Sequence, residues 1–177
     1  MIGLADKVLA VDRGLTDAGI PHAFGGALAL AYCIGEPRAT IDIDLNVFVH
    51  EDRAADVVAA MPSAVHHTAR DVVTLQQDGQ ARLWWDDTPV DVFLSTTEFH
   101  DAAAGRVRRE LFAGQELPFL GCTDLAVFKA FFNRTRDWAD LEDMAAAETL
   151  DRERVIAILG RYLDADDERL DWLRSQL

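Results

Sequence analysis

Basic residues are scarce in this sequence: seventeen Lys and Arg stand against thirty-one Asp and Glu, a formal net charge of -14. That balance opposes electrostatically driven binding to nucleic acid or to an anionic membrane. The one cluster of bases, Arg106-Val107-Arg108-Arg109, is short and reads as a solvated strand or loop face. Cysteine is nearly absent. Cys33 and Cys122 have neither the paired spacing of a zinc site nor that of a disulfide-rich scaffold, so reduced, buried thiols are expected. No apolar run approaches the roughly eighteen residues of a membrane helix, and the N-terminus lacks the charged and apolar regions of a secretory signal. A cytoplasmic protein without membrane association is the expectation.

Half of the 177 residues are apolar, enough to bury a sizeable core in one globular domain or in one domain with a helical extension. Leu4, Val8, Leu9, Val11 and Leu15 recur at helical spacing, and Gly19-Ile20-Pro21 ends that helix. His22 to Phe24 reads as a strand running into Gly25-Gly26, followed by an alanine-rich helix from Ala27 to Ile34 that Gly35-Glu36-Pro37 breaks. A second helix is expected over Glu51 to Met61. Short β-rich runs then cover Val72 to Gln76, Ala81 to Trp85 and Val90 to Leu94, with Asp78-Gly79 as a hairpin signal, and a meander is the simplest reading. A helix near Glu98 to Ala104 and a hairpin of Val107–Phe112 with Glu116–Leu120 follow. From Thr123 onward the pattern is helical, with Thr123, Asp151 and Asp166 or Asp167 as N-caps. The expected division is an α+β domain over 1–121 and a helical region over 122–177 packed on it.

Acids inside apolar runs carry the chemistry. Asp42 and Asp44 interrupt Ile41-Asp42-Ile43-Asp44-Leu45-Asn46-Val47, and side chains two apart on a strand share a face. Both can then reach one cation while Ile41, Ile43 and Leu45 pack behind. Asp91 repeats the pattern in Pro89-Val90-Asp91-Val92-Phe93, where an unpaired charge is costly to bury. It completes a metal site or pairs with an arginine. Asp86 and Asp87 are rival ligands, but they sit in a turn where aspartate is commonplace. Three carboxylates on neighbouring strands form a cradle for the divalent cations of an in-line displacement at phosphorus. Mg²⁺, or Mn²⁺ in its place, takes its remaining ligands from water and phosphate. Gly25 and Gly26 let a triphosphate approach the backbone, and the helix after them offers free N–H groups to the anion.

The order Gly25-Gly26, Asp42-Ile43-Asp44, then Asp91 resembles the DNA-polymerase-β-like nucleotidyltransferase superfamily over about residues 20 to 95. Within it, Phe24-Gly25-Gly26-Ala27-Leu28-Ala29-Leu30 and Pro37-Arg38-Ala39-Thr40-Ile41-Asp42-Ile43-Asp44 resemble small prokaryotic members related to abortive-infection toxins. Lys129 with Arg136-Asp137-Trp138-Ala139-Asp140-Leu141 extends the match. The interval from the glycine pair to Asp42 is a few residues longer than is usual there, which is expected to lengthen the helix or its exit loop near Cys33 to Pro37. The resemblance implies a mixed sheet flanked by helices, Asp42, Asp44 and Asp91 as metal ligands, and transfer of a nucleoside monophosphate from a nucleoside triphosphate such as ATP. It also implies Arg38 as a phosphate contact.

Lys129, Asn133, Arg136 and Asp140 fall on one face of a continuous helix, where Lys129 and Arg136 can meet triphosphate or base. Asp91 can also accept the proton of an incoming hydroxyl. Adjacent His66 and His67 point to opposite faces and are structural, and Trp84-Trp85 places one ring inward and one outward. The acceptor is open: a small molecule, a protein or an RNA end in a toxin–antitoxin setting, with a cognate antitoxin or toxin as partner. The oligomeric state is open too. An aminoglycoside-type antibiotic transferase, a catalytically silent binding module and a metal-dependent phosphohydrolase are the alternatives.

Overall fold

A computed structural model describes residues 2–175. Helix α1 (Leu4–Asp17) leads to strand β1 (His22–Phe24), helix α2 (Gly26–Ile34) and strand β2 (Ile43–Val47). A short 3-10 turn at Glu51–Arg53 precedes α3 (Ala54–Ala60), then α4 (Ala69–Asp78) and the hairpin β3 (Gln80–Trp85) and β4 (Thr88–Leu94). Next come α5 (Glu98–Ala103), the hairpin β5 (Arg108–Phe112) and β6 (Gln115–Phe119), and four helices, α6 (Cys122–Phe132), α7 (Thr135–Ala146), α8 (Arg152–Leu159) and α9 (Glu168–Ser175). The strands form one mixed sheet in the order β3-β4-β2-β1-β6-β5. β2 runs parallel to β4 and antiparallel to β1, and β1 runs parallel to β6. This is an α+β fold, as expected.

Alternation places the core. Ile43, Leu45 and Val47 of β2 are fully buried, as are Val90 and Val92 of β4. Helices α2, α6 and α7 pack on one another, and α6 also meets α8. Among the described residues, no helix is long and apolar enough to cross a membrane.

Several expectations are corrected. Val72 to Gln76 is helical, within α4, because Thr68 and Asp71 form a reciprocal capping box: the Asp71 N–H donates to Thr68 Oγ1 at 3.3 Å and the Thr68 N–H to Asp71 Oδ2 at 2.7 Å. That cap outweighs the β-branched run Val72-Val73-Thr74. Gly79, at φ +68°, terminates this helix instead of turning a hairpin. The meander therefore reduces to the β3–β4 hairpin, and β2 reaches its parallel partner β4 through a crossover. Ile41 lies outside β2 and is 71% exposed, so it does not pack with Ile43 and Leu45. Thr123 is not a cap, since α6 starts one residue earlier with Gly121 at the N-cap. Asp151 does cap α8, accepting from the Arg154 N–H at 3.1 Å.

The cysteines are not free thiols. Cys33 and Cys122 form a disulfide across 89 residues, joining the last turn of α2 to the first residue of α6. Two cysteines so far apart in sequence carry no local signal of pairing; packing of α2 against α6 brings their Cα atoms to 5.6 Å.

Candidate active site

Parallel pairing of β2 with β4 sets Asp44 directly opposite Asp91. In-register neighbours on adjacent strands share a face, so both carboxylates point to the same side of the sheet. Asp42 lies two residues before Asp44, just ahead of the strand. All three line one cavity of about 160 Å³. Its other walls are Gly26 and Ala27 at the start of α2, Thr40, Arg82 of β3, and Lys129, Arg134 and Arg136 with Asp137 and Asp140 from α6, α7 and the turn between them.

Each acid has a different environment. Thr40 Oγ1 donates to Asp42 Oδ1 at 3.2 Å and accepts from the Asp42 N–H at 3.3 Å, which fixes the approach to β2. Asp44 has its carboxyl pushed up to about 6, first by burial and then by the negative charges of Asp91 and Asp42, against a smaller opposing pull from Lys129 and Arg134. Arg82 donates two hydrogen bonds to Asp91, Nε to Oδ1 and Nη2 to Oδ2, both at 2.7 Å. Asp91 thus has an arginine partner, one of the two readings that the sequence left open. Among the described residues no group of three or more His, Cys, Asp or Glu stands close enough to hold a metal ion as the side chains lie.

The donor set nevertheless fits Mg²⁺. It is all oxygen, two of its members lift the proton affinity of the third, and this cation needs only one or two carboxylates when phosphates supply the rest. Asp42 and Asp44 would be the residues to hold it, and Asp91 would have to give up Arg82 to join them.

The glycine pair sits against the acids. Gly26 has φ +50°, and a Cβ there would collide with the Asp44 carboxylate. At Gly25 a Cβ would lie 2.7 Å from Asn46 Nδ2, and the Gly25 N–H donates to the Asp44 carbonyl at 2.9 Å. No side chain caps α2, so its first N–H groups face the acid cavity free of protein partners from a cap.

The cationic wall differs from expectation. Asn133 adopts φ +54° and ends α6, its N–H donating to the Lys129 carbonyl at 3.1 Å, while the Trp138 indole donates to Asn133 Oδ1 at 2.8 Å. The chain folds back there, so Lys129 and Arg136 are not on one continuous helix. Lys129 is buried, with Nζ 2.5 Å from Asp140 Oδ2 and 3.6 Å from Asp137 Oδ1. Arg38 does not line the acid cavity; its guanidinium bridges Asp140 and Asp143 of α7. Arg136 is exposed and lines the cavity.

Two residues went unread in the sequence. Arg134 pairs with Asp137 at 2.7 Å, lies 4.8 Å from the Phe132 ring, and has its guanidinium affinity for protons raised by Asp137, with Asp44 and Asp91 adding to it. Arg82 was legible in principle: a two-residue turn at Asp86-Asp87 pairs Trp85 with Thr88 and hence Arg82 with Asp91. His66 and His67 do not line the cavity.

Neither a protein-family model nor a curated protein sequence matches this chain. Solved structures do. The antibiotic-resistance factor ANT(2'')-Ia in solution shares 15% identity over 97% of this chain and 89% of its own, with a TM-score of 0.58. Its crystal structure in complex with adenylyl-2''-tobramycin gives 14% identity, 97% and 94% coverage, and a TM-score of 0.57. The lincomycin-bound lincosamide antibiotic adenylyltransferase LnuA gives 8% identity, 80% and 96% coverage, and a TM-score of 0.55. The chain has the nucleotidyltransferase fold.

Proposed function

We propose that this protein is a Mg²⁺-dependent nucleotidyltransferase that moves a nucleoside monophosphate from a nucleoside triphosphate to a hydroxyl group. The observation that carries the reading is the in-register pair Asp44 and Asp91 beside the uncapped start of α2, in one cavity with Asp42 and facing Arg134 and Arg136. Excess negative charge at the sheet invites a cation, and the opposite wall supplies positive charge for a polyphosphate. Mg²⁺ would polarise the phosphoryl oxygens and neutralise charge as it develops. The protein's part is positioning: backbone N–H groups at Gly26 and Ala27 receive phosphate, Arg134 and Arg136 hold its outer oxygens, and the acids accept the acceptor's proton.

Residues 1–121 and 122–177 both contribute, because α6 and α7 form one wall of the cavity. The neighbours bound to adenylyl-2''-tobramycin and lincomycin favour a small-molecule acceptor. A toxin–antitoxin setting rests on the residue resemblance alone.

The test is incubation of purified protein with each α-³²P-labelled nucleoside triphosphate, with Mg²⁺ or Mn²⁺ and with pooled acceptors. Label should pass to an acceptor only with a divalent cation, and Asp44→Asn should reduce transfer by at least about a hundredfold, the scale of losing a charge-stabilising group. Nucleotide binding without turnover and indifferent to Asp44→Asn would indicate a silent module. Free phosphate without adduct would indicate a phosphohydrolase.

A further inference from the structure

Helix α2 is apolar all round. One face, with Ala29, Leu30 and Cys33, is buried in the core. The other, with Leu28, Ala31 and Tyr32 at helical spacing, faces a second cavity of about 660 Å³, which Leu4 of α1 and Phe112 of β5 also line. That volume lies within the range of ligand pockets, roughly 300 to 1,000 Å³. Ala27 and Thr40 line both this cavity and the acid cavity, and Thr40 Oγ1 is itself hydrogen-bonded to Asp42. The two spaces are therefore neighbours across Ala27 and Thr40, with Asp42 hydrogen-bonded to the latter.

Their electrostatics are opposite. Among the described residues no carboxylate lines the apolar cavity; its one charged side chain is Arg38, already committed to Asp140 and Asp143. Tyr32, which also lines the space, spends its hydroxyl proton on the Leu111 carbonyl at 2.9 Å. A polycation entering here would lose hydration with no anion to replace it, whereas an uncharged, largely apolar body would bury its surface against Leu28, Ala31 and Phe112.

We propose that this cavity binds the acceptor and that the acceptor is an uncharged small molecule with an apolar or aromatic body and a free hydroxyl. The inference rests on the transfer reading above for the reaction, but not for the binding. The hydroxyl, projecting past Ala27 and Thr40, reaches the acids. Its oxygen forms a bond to the α-phosphorus of the nucleoside triphosphate, the bond from that phosphorus to the oxygen bridging to the β-phosphate breaks, pyrophosphate leaves with the electron pair, and the hydroxyl proton passes to a carboxylate.

The test uses 4-nitrophenyl β-D-glucoside as a neutral aromatic probe, tobramycin as a polycation, and Mg²⁺-ATP as a control, all titrated calorimetrically into the full chain. The glucoside should bind the wild type, and Ala31→Trp and Leu28→Arg should each weaken it by about tenfold or more while changing Mg²⁺-ATP affinity by less than about twofold. Tobramycin should not displace the glucoside. Failure of the glucoside to bind, indifference of its affinity to both substitutions, or displacement by tobramycin would overturn the inference. Glucoside binding that responds to both substitutions in a protein that forms no nucleotidyl adduct would leave the ligand class standing and remove the transfer reading. Adduct formation on a polycation, unaffected by either substitution, would do the reverse.

Discussion

The Asp44 carboxylate occupies the volume that a Cβ on Gly26 would need. The glycine serves the acid before it serves any phosphate: the strand brings Asp44 against the helix start, and only a residue without a side chain, at φ +50°, lets it remain. Gly26→Ala should therefore cost about 2 to 4 kcal/mol by combining left-handed strain with overpacking. Gly105→Ala, where a Cβ meets nothing within 4 Å, is the control and should be near neutral. Urea unfolding of the two variants checks the difference.

Asp44 makes the metal-free protein sensitive to pH. Its folded value, about 6, lies above the ordinary 3.8, so the native state holds this proton more tightly than the unfolded chain does. The carboxyl is without cost below the unfolded value, and stability falls as pH rises from 3.8 towards 6. At about 1.4 kcal/mol per unit, the cost above pH ~6 is roughly 2 to 3 kcal/mol. Asp44→Asn should recover that amount near pH 7.5, with the gain shrinking towards zero as pH falls to about 4. Denaturant unfolding across pH without divalent cations measures it, and added Mg²⁺ should stabilise the wild type more than the variant.

Arg82 holds the carboxylate that a cation would want. Removing it with Arg82→Ala should free both oxygens of Asp91 and raise the negative potential at Asp44, lowering metal-free stability and reducing the Mg²⁺ concentration needed for thermal stabilisation. An unchanged Mg²⁺ response would show that Arg82 and the cation do not compete.

Lys129 is buried between two carboxylates, Asp137 and Asp140. Lys129→Met leaves Asp137 and Asp140 buried without their shared partner and should cost about 3 to 5 kcal/mol. Adding Asp140→Asn should restore part of the loss, since a neutral amide no longer needs the ammonium. A double-mutant cycle in urea gives the coupling.

The disulfide ties α2 to α6, both of which wall the acid cavity. Closing an 89-residue separation should stabilise the fold by about 4 to 5 kcal/mol. Dithiothreitol should lower the melting temperature of the wild type and leave Cys33→Ala/Cys122→Ala unmoved. Bonds of this kind persist in oxidising compartments, which bears directly on the cytoplasmic expectation.

The acids and glycines were legible because each breaks a local rule. Asp44 and Asp91 stand in apolar strands, and Gly25-Gly26 adjoins a strand and a helix; one residue and its neighbours suffice to mark them. The hairpin β5–β6 and the Asp151 cap were legible for the same reason, short-range turn and cap chemistry. Val72-Val73-Thr74 misled because β-branching speaks for strand while the deciding cap lies four residues upstream of Val72, at Thr68.

What the chain order alone settled was which side chains carry charge into apolar segments, since that depends on periodicity within a few residues. What only the tertiary structure decided was the longer-range partners: Asp140 on Lys129, Cys33 on Cys122 and the apolar cavity beside the acid one. Such pairings depend on the turn at Asn133 and on helix packing. Each joins segments whose separation along the chain carries no imprint of their contact in space.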